Sequence, residues 1–206
     1  MKLNLRLVWL IVLLLCCAAA TAVVIVTYRP AHEPEHGHNY NEWLASRRKK
    51  IRALAAERHY SEAERLLRNY LDYVPDDNEM RRLLGKILFE GGNRAGALNV
   101  YYAVLIRDPG DFVARNNFAV ALVYNGRFGE ALKELADAYE NSGREGFVGM
   151  NLAAAYDLNG NAEKARELLE AAERQNQGRI EIPFDALLLK HGDGNIPGAG
   201  GRSPVR

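Results

Sequence analysis

The sequence predicts an all-α protein: an α-solenoid of four helix-turn-helix units, preceded by one N-terminal transmembrane helix. Three observations predict it. Residues 7–28 carry no charge, the stretch from about residue 44 to 179 repeats itself every 34 residues, and both cysteines, Cys16 and Cys17, lie inside the uncharged run. The remainder therefore has no thiol for disulfides, zinc or nucleophilic chemistry. With 206 residues, 48% hydrophobic, 26% charged and a net charge of +1, the chain has room for one ordinary domain. So even a balance excludes a general electrostatic drive toward nucleic acid, which shows as a clear excess of Lys and Arg.

The uncharged run comes first. As a helix, Leu7 to Tyr28 spans about 33 Å at roughly 1.5 Å per residue, enough for the ~30 Å hydrocarbon core of a bilayer. Lys2 and Arg6 with the small residues Ala18 to Ala22 also fit a cleavable signal peptide. Against cleavage, the run continues through Val23, Val24, Ile25 and Val26, where a mature chain turns polar. A lipid-modified Cys16 or Cys17 fits less well still, because Leu15 or Cys16 precedes it where a small residue is needed. Residues 1–28 are thus expected to be a signal-anchor. Lys2 and Arg6 favour a cytoplasmic amino terminus, with the repeats on the outer, periplasmic or extracellular side. Residues 29–43 hold two prolines, a glycine and His32, His36 and His38, and read as an extended linker. Those histidines with Glu33 and Glu35 are metal-ligand types, but nothing rigid arrays them, and no metal is expected.

The repeat is the strongest signal. Ala63, Ala97, Ala131 and Ala165 stand 34 apart, and five residues before each come Arg58, Gly92, Gly126 and Gly160, three of them glycines suited to a tight turn. Ile51, Gly85, Ala119 and Ala153 precede those turns by seven, and Leu54, Leu88, Leu122 and Tyr156 precede them by four. Pro75 and Pro109 close the first two units, as proline does just past a helix end. Each unit is then helix A, a turn and helix B, with apolar residues at helical spacing on both. One unit cannot bury its face alone; stacked units can. The units run 44–77, 78–111, 112–145 and 146–179.

On these residues the chain resembles the tetratricopeptide-repeat (TPR) family over about two thirds of its length. The second unit matches best, with Gly85, Leu88, Gly92, Ala97, Tyr101 and Pro109; no unit opens on tryptophan, and the third and fourth end on Gly143 and Gln177 in place of proline. The resemblance implies a concave groove, lined mainly by the A helices, that holds a peptide or partner helix, without catalysis or cofactor. Its lining positions here are Arg48 and Arg52, then Arg82, Lys86 and Phe89, then Asn116, Val120, Val123 and Tyr124, and finally Met150, Asp157 and Leu158. Arg48 with Arg52, and Arg82 with Lys86, are four apart, so each pair lies on one side of its helix and stacking makes a basic ladder, with the far half apolar. Such a groove suits an acidic segment beside hydrophobic anchors; the plain alternative is that these cations are solvated surface. A clamp for a chain-terminal carboxylate is not expected, since Leu83 and Val113 stand where it needs polar groups.

After the repeats, Phe184, Leu187 and Leu188 follow Pro183 at helical spacing, so residues 180–191 are expected to form a short capping helix; the alternative is a segment folded back into the groove. Residues 192–206, with five glycines and two prolines, are expected to be a disordered tail. The chain therefore reads as a membrane-anchored scaffold binding a protein or peptide partner in envelope assembly or recruitment, and not as an enzyme. A structural homo-oligomerising membrane protein, or a secreted repeat protein after signal cleavage, are the other readings.

Overall fold

The computed structural model describes residues 40–175 and 180–189. The expected transmembrane helix, the linker as far as residue 39 and the tail lie outside them. Among the described residues no helix is long and apolar enough to cross a membrane.

Eight helices follow one another among the described residues: α1 (Tyr40–Ala56), α2 (Tyr60–Tyr73), α3 (Asn78–Glu90), α4 (Arg94–Arg107), α5 (Phe112–Tyr124), α6 (Phe128–Asn141), α7 (Gly146–Leu158) and α8 (Ala162–Gln175). Helix α1 starts at Tyr40, so the last residues of the expected linker are helical. The chain divides into two compact units, Met1–Ser46 and Arg47–Arg206. Of the first, the opening of α1 is described, where the rings of Tyr40 and Trp43 stack at 6.1 Å. The repeats lie in the second.

Local chemistry sets where each helix stops. After α1, α3, α5 and α7 the chain turns through one residue at positive φ: Arg58 (62°), Gly92 (92°), Gly126 (74°) and Gly160 (88°). Each turn is closed by the same two backbone bonds, such as Asn93 N–H to the Leu88 carbonyl at 2.8 Å and Gly92 N–H to that of Phe89 at 3.1 Å. This is the Schellman end of a helix, which uses a left-handed residue to satisfy carbonyls left without partners. Helix starts are fixed by Asp77, Asn93, Asp111 and Asn161, whose side chains accept from the amides of Met80, Gly96, Ala114 and Lys164. Between the third and fourth repeats, where proline is missing, Gly143 (φ 69°) makes a further Schellman turn.

In the second, third and fourth repeats the A and B helices pack on each other, and the A helices α3, α5 and α7 lie side by side. Small residues permit that approach. A Cβ on Gly85 would sit 2.4 Å from the fully buried Tyr101 ring. Helices α5 and α7 are buried on nearly every side, whereas α2, α6 and α8 keep a polar outer face. The core is mainly aliphatic, with Ile51, Leu67, Met80, Ile87, Leu122 and Leu135 each at most 1% exposed, around the buried rings of Tyr101 and Phe147.

Residues 180–189 contain no helix, so the expected cap over 180–191 is not formed there. Ala186 N–H donates to the Pro183 carbonyl at 2.9 Å, closing a turn around Phe184 and Asp185, and beyond it the chain runs without internal backbone pairing. Its main chain is satisfied instead by side chains of the A helices. That is the physical reason no helix is needed.

Candidate functional site: a groove holding an extended segment

The buried polar side chains among the described residues are Asp111, Asn116, Asn117, Asn151 and Asp185, and all five meet at one place. A buried amide or carboxylate without a partner costs about 1–3 kcal/mol or more. These five find partners in one another, in Arg82 and in the main chain of residues 185–189.

Asn117 on α5 donates its Nδ2 to the Asp185 carbonyl at 2.7 Å, while its Oδ1 accepts the Leu187 N–H at 2.7 Å. Asn151 on α7 repeats the arrangement two residues further on. Its Nδ2 donates to the Leu187 carbonyl at 2.8 Å and its Oδ1 accepts the Leu189 N–H at 2.7 Å. Each carboxamide thus offers one donor and one acceptor to residues i and i+2, as a neighbouring β-strand does. Asn116 stiffens the pair. Its Nδ2 reaches the Leu187 carbonyl and the Asn117 Oδ1, each at 3.1 Å, and its Oδ1 accepts from Asn151 Nδ2 at 2.7 Å.

Charge enters on α3. Arg82 donates Nε to Asp185 at 2.5 Å and Nη1 to Asp111 at 2.6 Å, with the side chains 16%, 6% and 6% exposed. Burial works against the Arg82 charge, but the Asp185 and Asp111 carboxylates outweigh it and hold its pKa above the ordinary value. One turn on, Lys86 donates to the Phe184 carbonyl at 2.8 Å and lies 5.4 Å from the centre of that ring. Ala186 and Leu187 are buried, whereas Ile182 and Phe184 are exposed.

Alongside the segment a cleft of about 460 Å³ stays open. Tyr60, Lys86, Phe89, Glu90, Arg94 and Tyr124 line one side of it, and Ile182, Leu187 and Leu188 the other. Phe89 and Tyr124 meet edge to face at 5.0 Å, Arg94 lies over Tyr124 at 5.2 Å, and the Tyr60 hydroxyl donates to Glu90 at 2.8 Å. Partial burial and then that carboxylate raise the Tyr60 phenol above its ordinary 10.0.

Of the groove positions expected from sequence, Arg82, Lys86 and Asn116 contact residues 184–187, and Phe89 and Tyr124 line the open cleft. Val120 and Val123 are wholly buried, and Met150, Asp157 and Leu158 are half-buried on α7. Arg48 and Arg52 are held elsewhere. Both bond Glu79 at the start of α3, Arg48 at 2.5 Å, and Arg48 also lies 3.8 Å from Asp77. The basic ladder is therefore split, its first rung joining two repeats and its second meeting an aspartate in the groove. Sequence reasoning did not single out Asn117, Asn151 or Asp185. A signal was present: Asn117 and Asn151 stand 34 apart, polar residues at one register on two mostly apolar A helices. Among the described residues no group of His, Cys, Asp and Glu is placed to hold a metal.

The fold is similar to solved helical-repeat structures. YrrB, described as a TPR protein with an unusual peptide-binding site, aligns with a TM-score of 0.52 and 22% identity over 64% of this chain and 68% of its own. MamA from Desulfovibrio magneticus RS-1 aligns with a TM-score of 0.56 and 17% identity over 67% of this chain and 78% of its own. In sequence, the chain is 33% identical over 93 residues to the TPR repeat-containing thioredoxin TTL4 of Arabidopsis thaliana, which is 45% of this chain and only 14% of that relative. The tetratricopeptide-repeat family model matches residues 48–112 and 116–180, more than half of the chain, so this protein belongs to the tetratricopeptide-repeat family.

Proposed function

We propose that this chain is a membrane-anchored TPR scaffold whose concave groove holds an extended segment of a protein partner, in the assembly or recruitment of envelope proteins. The observation that carries the binding part is the matched pair Asn117 and Asn151, which together satisfy main-chain groups of residues 185, 187 and 189. Strand-like pairing of this kind supplies affinity for an extended chain with little regard to its sequence, and neighbouring side chains then add selectivity. The uncharged run over residues 7–28 supports the anchor, and Lys2 and Arg6 support a cytoplasmic amino terminus with the repeats outside. The role is that of a binder, not a catalyst.

Two measurements test it. A photo-crosslinking amino acid at Tyr124, beside the groove, is expected to capture one defined protein in native membranes, and capture should fall in an Asn117→Ala, Asn151→Ala chain. Crosslinks formed instead from Tyr102, which is 58% exposed on α4, would move binding to the outer face. Alkaline carbonate extraction should leave the chain in the membrane pellet; release into the supernatant would reject the anchor.

A further inference from the structure

The groove is already occupied, and by this chain itself. We propose that residues 180–189 are a built-in pseudo-ligand, and that the partner displacing them is a protein segment of the same chemistry. That segment carries an acidic residue, then a small residue, then a leucine from which the main chain continues extended. This rests on the reading of the groove as the partner site and names what it takes.

Contacts that ignore sequence come from Asn117 and Asn151, whose hydrogen bonds to the segment go to its main chain alone. They exclude proline at the positions of Leu187 and Leu189, whose N–H groups are both used. Contacts that read sequence come from Arg82, already paired with Asp111 and closed by a second carboxylate from Asp185, and from the burial of Ala186 and Leu187. The segment is also in register with the groove. Leu83 stands 34 residues before Asn117, so the carboxamide series ends there, and Leu83 lines a small pocket together with Phe184 of the segment's turn at Pro183–Ala186.

Because the pseudo-ligand is tethered, its effective concentration reaches the millimolar range, and a free partner binds only by competing with it. The exposed Ile182 and Phe184 and the open cleft beside them give an incoming chain a place to land before exchange is complete.

The test uses the full chain in mild detergent and a fluorescent synthetic peptide with the sequence of residues 180–189. Asp185→Lys should open the groove without touching its walls, and this chain, once its helicity is confirmed, is expected to bind the peptide at least tenfold more tightly than the unaltered chain. A peptide with lysine in place of its aspartate should not bind, and adding Asn117→Ala to the opened chain should abolish binding. Leu187→Pro, which removes the N–H given to Asn117, opens the groove by a second route and is expected to behave alike. If neither opened chain binds the peptide while partner crosslinking at Tyr124 still depends on Asn117 and Asn151, the pseudo-ligand is rejected and the groove function stands. If crosslinking does not depend on them either, the groove function fails as well. Concentration-dependent oligomers of the unaltered chain that Asp185→Lys dissolves would place the segment in a second copy's groove and overturn the intramolecular arrangement.

Discussion

Arg82 and Asp185 are 103 positions apart in sequence and meet at 2.5 Å in the groove, with Asp111 on the other side of the same guanidinium. One cation thereby balances two nearly buried carboxylates. Arg82→Ala leaves both without their counter-charge, and removing one member of a buried ionic group costs about 3–5 kcal/mol. With Arg82 itself 16% exposed, the lower end, about 3 kcal/mol, is expected in chemical denaturation. An effect below 1 kcal/mol would show that the three groups are not coupled in solution.

The two asparagines predict separable effects. Asn117→Ala removes the acceptor of the Leu187 amide, and Asn151→Ala that of the Leu189 amide. Each bond, once lost, costs about 1–2 kcal/mol locally, or roughly five- to thirtyfold faster amide exchange. Hydrogen exchange should show Leu187 as the amide more affected by the first variant and Leu189 as that more affected by the second.

Arg58 occupies, at φ 62°, the left-handed position that glycine fills in the three later repeats. A side chain there costs about 1–2 kcal/mol, partly offset by the larger entropy a glycine loses on folding. Arg58→Gly should therefore stabilise by about 0.5–1 kcal/mol, a rise in melting temperature of roughly 1–4 °C. A fall would mean that contacts of the Arg58 side chain outweigh the backbone gain.

Gly85→Ala acts in the opposite direction. The new methyl would lie 2.4 Å from Tyr101 Cε1, a wholly buried ring atom with no room to retreat. Overpacking of this kind costs about 1–3 kcal/mol. A smaller side chain at Tyr101 should restore part of it, so that the Gly85→Ala, Tyr101→Leu pair is less destabilised than the sum of the single changes.

Burial pushes the Tyr101 phenol well above its ordinary 10.0, with the Asp185 and Glu90 carboxylates acting in the same direction. Above about pH 10 the folded chain then keeps a proton that the unfolded chain releases, so stability must fall as pH rises through that range. Absorbance titration should find the Tyr101 phenolate appearing only together with unfolding, and Tyr101→Phe should flatten the alkaline loss of stability. A Tyr101 that ionises in the intact helical chain near pH 10 would contradict its burial.

The sequence by itself determined the repeat. A period of 34 with Gly92, Gly126 and Gly160 at the turns is a local signal, because a left-handed turn is made by residues a few positions apart; the side-chain caps at Asp77, Asn93, Asp111 and Asn161 are local too and are what the structure adds. The resemblance to the family also implied Arg82, Lys86 and Asn116 as groove positions, and all three contact residues 184–187. Only the tertiary structure decided what those residues hold. Phe184, Leu187 and Leu188 have the spacing of a short helix, yet so few residues behind a proline gain little from helix formation alone. The carboxamides of Asn117 and Asn151, 68 to 70 and 36 to 38 positions away from the groups they bind, offer the same main chain better partners. Arg48 and Arg52 show the same limit. Their spacing puts them on one side of α1, but Glu79, on the next A helix, takes both, and no pattern within either helix contains that pairing.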